Sequence, residues 1–64
     1  MTIGERIANY TRDHGVMNKF LAEKAEVSDA KISLILKGKQ EIGVIEYYKI
    51  CKALNVPMEQ FIEE

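Results

Sequence analysis

Apolar residues recur along this chain at intervals of three and four, the period of amphipathic helices, and nowhere alternate in the manner of a strand. Thr2 followed by Glu5 has the spacing of a capping box, and Ile3, Ile7 and Tyr10 continue at helical intervals until Gly15, predicting a first helix over about 3–14. Asn18 is the best N-cap for a second, short helix that places Leu21, Ala22 and Ala25 on one face and ends close to Ala25. Glu26 and Val27 leave only a tight connection. Ser28 then caps a third helix over about 29–37, with Ile32 and Ile35 facing inward and Gly38 as its stop. Gly43 is a permissible cap for a fourth helix over about 44–54, whose stripe is Val44, Tyr47, Ile50, Cys51 and Leu54, with Asn55 as a left-handed stop. Pro57 suits the first turn of a last short helix, in which Met58, Phe61 and Ile62 make apolar contacts before the acidic Glu63 and Glu64.

Five helices with short connections, and no linker, repeat or low-complexity stretch, predict one all-α domain over 1–64. A chain of 64 residues buries only about 60% of its unfolded surface, so its stability is modest. The composition, 47% apolar and 30% charged, is still that of a globular domain. Cys51 is the single cysteine, so no disulfide can form within the chain, and its place in the apolar stripe predicts a buried structural thiol. His14 is likewise alone and falls where a helix C-terminus favours it, and one His with one Cys does not make a metal site. No nucleophile and base pair, paired carboxylate cleft or phosphate loop can be assembled, which argues against an enzyme and against a cofactor. No apolar run approaches membrane-spanning length and no secretory pattern opens the chain, so the expectation is a soluble, cytoplasmic protein.

The net charge of −1 counts against nucleic-acid binding only as an average. Residues 28–40 carry Lys31, Lys37 and Lys39 against Asp29, whereas residues 41–64 carry five acids against two bases. The basic part is the third helix and its exit.

Two short helices joined by a tight turn, the second capped and bearing lysine, are a recurring device for placing a helix in the major groove. The segment LAEKAEVSDAKISLILKGK, with its LAEK, VS, I-S-x-I and GK elements in register, followed by YYKICKALNVP, resembles the Cro and phage-repressor-like helix-turn-helix regulators from Ile3 to Phe61. The resemblance implies a compact five-helix lambda-repressor-like domain that binds double-stranded operator DNA, commonly as a homodimer. It further implies that Ser28, Asp29, Ala30 and Lys31, with Ser33 and Leu34 further along, face the bases. Lys31 could then donate to guanine, Asp29 accept from cytosine N4, and Ala30 touch a thymine methyl. Asn18 and Lys19 fall where the family clamps a phosphate at the start of helix 2, and Lys37, the Gly38 amide and Lys39 where the helix exit approaches the backbone.

Some positions depart from the family pattern. Asn18 replaces a longer Gln, Met17 stands where a Ser or Thr cap is expected, and Glu26 replaces the usual turn glycine, placing an acid beside the implied DNA face. If that turn demands a positive φ, Glu26 costs about 1 kcal/mol relative to glycine. Leu34 and Leu36 lie where polar residues are common.

Phe20, Leu36, Ile42, Ile45, Tyr48 and Met58 remain after the helical stripes are assigned, more than so small a domain can bury. A contiguous set would mark an interface. The expected homodimer seam is Ile45, Tyr48, Met58 and Ile62, with the two reading helices about 34 Å apart. The competing reading is a protein-interaction module that keeps this fold without DNA affinity, motivated by the acidic balance, Glu26 and the apolar Leu34 and Leu36.

Overall fold

The Thr2 hydroxyl accepts from the Glu5 amide at 3.1 Å and the Glu5 carboxylate accepts from the Thr2 amide at 2.8 Å, completing the capping box that opens α1, Ile3–Asp13. In the computed structural model, which describes residues 1–62, α2 spans Asn18–Ala25, α3 Asp29–Leu36 and α4 Val44–Leu54. The expected last helix is a single 3-10 turn, Met58–Phe61, preceded by Pro57. Among the described residues there is no strand. Glu63 and Glu64 lie outside the described residues.

α2 lies at the centre, packed against both α3 and α4, while α1 closes over α3 and the 3-10 turn bridges α1 and α4. Ile7, Leu21, Ile32, Ile35 and Ile50 are fully enclosed where these elements meet, and Phe61 seals the end of the core. Phe61 meets Tyr10 and Tyr47 edge-on, with ring centroids 5.4 and 6.4 Å apart. The Tyr47 hydroxyl donates to the Met58 carbonyl and the Arg6 guanidinium to that of Phe61 at 3.4 Å, so the last turn is tied down by polar contacts as well as burial. Burial pushes the Tyr47 phenol above its usual pKa.

Gly4 permits a close approach of α1 to α3. A Cβ there would lie 1.9 Å from the Ile35 carbonyl oxygen, so α1 can rest on α3 only because this position has no side chain.

Several boundaries and burial assignments differ from the sequence pattern. α2 begins one residue earlier than an Asn18 cap implies: Met17 holds the extended N-cap position with no side-chain bond, and Asn18 is the first helical residue. Val44 belongs to the α4 stripe by spacing but is 78% exposed, since nothing packs over the first turn of α4 on that side. Leu36, one of the apolar residues left over, is buried, because α3 turns three of its residues inward, Ile32, Ile35 and Leu36. Cys51 is buried as expected, and that burial raises its thiol pKa. His14 caps α1, its ring stacked on Tyr10 at 4.0 Å and its Nδ1 2.7 Å from the Tyr10 carbonyl.

Candidate nucleic-acid interface

The α2 to α3 connection is built from two local decisions. Glu26 ends α2 in the left-handed conformation at φ 60°, which costs a side-chain-bearing residue about 1 kcal/mol. Two residues later, the Ser28 hydroxyl accepts from the Lys31 amide at 3.1 Å and starts α3. The reversal leaves one side of α3 on the core and the other in solvent.

Asp29, Ala30 and Leu34 are exposed, Ser33 and Lys31 are half-buried at the margins, and Ser28 is exposed at the cap. Ala30 and Leu34 are four residues apart and therefore stand one above the other at the middle of that outer surface. An open groove at the C-terminal end of α3 is lined in part by Asn18 from the start of α2, by Ser33 and Lys37 from α3, and by Arg12 from the last turn of α1. Thus three residues nominated from the sequence converge across a helix boundary. Arg12 was not among them; no periodicity signals that the end of α1 returns beside the end of α3. Lys19 and Lys39 are exposed on either side of this region in sequence.

At the helix exit, Lys37 is the C-cap of α3. The Gly38 amide donates to the Ile35 carbonyl at 3.0 Å and that of Lys39 to the Leu34 carbonyl at 2.9 Å. The amide expected to meet phosphate at Gly38 is therefore already committed to closing the helix. Gly38 holds φ 76°, a conformation suited to glycine, which lets the chain turn away there.

Two charged side chains of the motif, Lys31 and Glu26, are drawn toward α4. Lys31 Nζ lies 2.7 Å from Glu46 Oε2, while Glu46 Oε1 accepts from the Gly43 amide at 2.9 Å. The Lys31 ammonium and then the Gly43 amide hold the Glu46 carboxyl below the usual carboxylate range. Lys31 is therefore engaged with protein rather than extended from the face where guanine contact was expected. Glu26 Oε1 lies 3.0 Å from Lys49 Nζ, which directs the turn's acid toward α4. Glu46 escaped notice in the sequence, although its position three residues after Gly43 is the spacing of a helix-capping acid.

Ile45, Tyr48, Met58 and Ile62, the residues of the expected seam, are all exposed, with Val44 beside Ile45. Among the described residues no three metal-ligating side chains gather, and no helix is long and apolar enough to cross a membrane.

A short helix, a left-handed turn and a capped second helix with a free outer face make this a helix-turn-helix protein. The sequence profile of the Cro/C1-type helix-turn-helix DNA-binding domain matches residues 6–63, and the chain belongs to that family. The fold is similar to the crystal structure of SinR, described as the master regulator for biofilm formation, in complex with DNA. That likeness has a TM-score of 0.81 at 28% sequence identity and covers 97% of this chain and 100% of SinR's. No curated protein matches the chain.

Proposed function

We propose that this chain is a sequence-specific, repressor-like transcriptional regulator that lays α3 in the major groove of double-stranded DNA. The observation that carries this reading is the convergence of Asn18, Ser33 and Lys37 along a groove at the C-terminal end of a Ser28-capped helix. In this arrangement Ser28, Asp29, Ala30, Ser33 and Leu34 face the base edges. Asn18, Lys19, Lys37 and Lys39 meet phosphates on the two sides of the groove, and Arg12 adds a cation to the first of these sets. Gly38 contributes its tight turn. The DNA-bound state of SinR supports the same mode here. The role is binding rather than catalysis, exercised in the cytoplasm.

The chain acts as a homodimer through Ile45, Tyr48, Met58 and Ile62. A two-fold pair sets its reading helices about one helical turn of DNA apart, near 34 Å. Selection of bound sites from random duplex DNA tests the function. The expected result is a two-fold symmetric consensus. Absence of enrichment at low salt would overturn the assignment and favour a protein-interaction role.

A further inference from the structure

The chemistry left on the outer face of α3 is narrow. Lys31, the one long cationic side chain in the body of the helix, is held by Glu46 at 2.7 Å. The Ser28 oxygen accepts the capping bond from the Lys31 amide at 3.1 Å. Lys37 stands past the last helical residue. Between them the middle of the face is Ala30 and Leu34, the latter 41% exposed although α3 has ample core on its other side. Asp29, in the first turn, is an acceptor when ionised and has nothing to offer guanine O6 and N7, which are acceptors themselves.

A guanine edge asks for a forked or cationic donor, and an adenine edge for an amide that donates and accepts together. Neither group is present at the middle of this face. The base-edge feature that Ala30 and Leu34 can complement is the C5-methyl group of thymine, which is apolar and projects into the major groove. We propose that the chain selects its DNA through thymine methyl groups packed against Leu34 and Ala30, with Asp29 favouring a neighbouring cytosine. This proposal rests on the DNA-binding function above and specifies the chemistry it reads. Glu46 is a positioning residue in this scheme, because by holding Lys31 aside it keeps a guanine-directed donor off the face.

The test uses the full chain and duplexes enriched from a random pool, resynthesised with deoxyuridine in place of thymidine at one position at a time. Burying one methyl group corresponds to about four-fold in affinity. At one or two positions in each half-site, deoxyuridine should weaken binding by about that factor. Leu34→Ala, a change at an exposed position that leaves the core intact, should bring the thymidine to deoxyuridine ratio at one of them close to one. Equal binding of every deoxyuridine duplex would overturn the methyl-reading proposal while leaving DNA binding in place. Failure of the random pool to yield any bound duplex would overturn the DNA-binding function itself, and the proposal with it.

Discussion

Lys31 of α3 and Glu46 of α4 form an ion pair with a 2.7 Å separation, and the same carboxylate caps α4 through the Gly43 amide. The pair joins the margin of α3 to α4 and, under the proposed function, neutralises a cation that could otherwise reach DNA. Glu46→Gln preserves an oxygen for Gly43 but weakens the hold on Lys31. Released, Lys31 should strengthen binding to arbitrary duplex DNA at low salt and steepen the slope of log K against log salt by up to about one. Fluorescence anisotropy across a salt series measures both. An unchanged slope would show that Lys31 stays out of reach of phosphate even when free.

Acid should loosen the fold partly through the same residue. The native carboxyl of Glu46 titrates below its ordinary value of 4.5, so the unfolded chain binds more protons around that pH. Its contribution is complete above the unfolded value and is lost as pH falls through the lower native one. Glu5 is shifted in the same direction by the Thr2 amide. Urea denaturation at about pH 6 and about pH 3 should show a loss of stability in the wild type that is smaller in Glu46→Gln.

The close approach at Gly4 gives a sharper test of packing. Gly4→Ala would bring a methyl group against the Ile35 carbonyl, where a Cβ has only 1.9 Å of clearance. Separating α1 from α3 should cost about 1–3 kcal/mol. In a domain of this size that corresponds to a fall in melting temperature of roughly 4–8 °C per kcal/mol. Thermal denaturation followed by circular dichroism measures it, and an unchanged midpoint would contradict the tight contact.

The proposed dimer seam predicts a concentration-dependent mass. Ile45 is 64% exposed in the isolated chain, and a lysine in its place should be harmless to the monomer but unfavourable in an apolar seam. Sedimentation should show dimer at high micromolar concentration for the wild type and monomer for Ile45→Lys. A wild type that remains monomeric would remove the seam from the account.

Much of the fold is legible from local chemistry. The Thr2 and Glu5 cap, the Ser28 cap and the Asn55 stop are each decided by a few neighbouring residues, and all are present in the structure. The resemblance of the α2 to α4 sequence to a known family is matched by the family assignment over residues 6–63. What sequence spacing did not reveal depends on distant parts of the chain. Val44 has the right interval for the core but is exposed, and Leu36 is buried with Ile32 and Ile35 on the inward side of α3. Gly4 looks like an ordinary helical residue until α3 is laid across it. Lys31 reads as a base contact by position, yet its ammonium is claimed by an acid fifteen residues away. Arg12 joins the candidate site through a chain reversal that no periodicity encodes.

The central claim, that the surface formed by α2 and α3 binds duplex DNA, is tested most directly by salt dependence at the helix exit. Affinity for a selected duplex would be measured from about 50 to about 200 mM salt for the wild type, Lys37→Ala and Lys39→Ala. Each substitution should weaken binding and reduce the slope of log K against log salt by about one. Binding with unchanged affinity and slope in both variants would contradict the account.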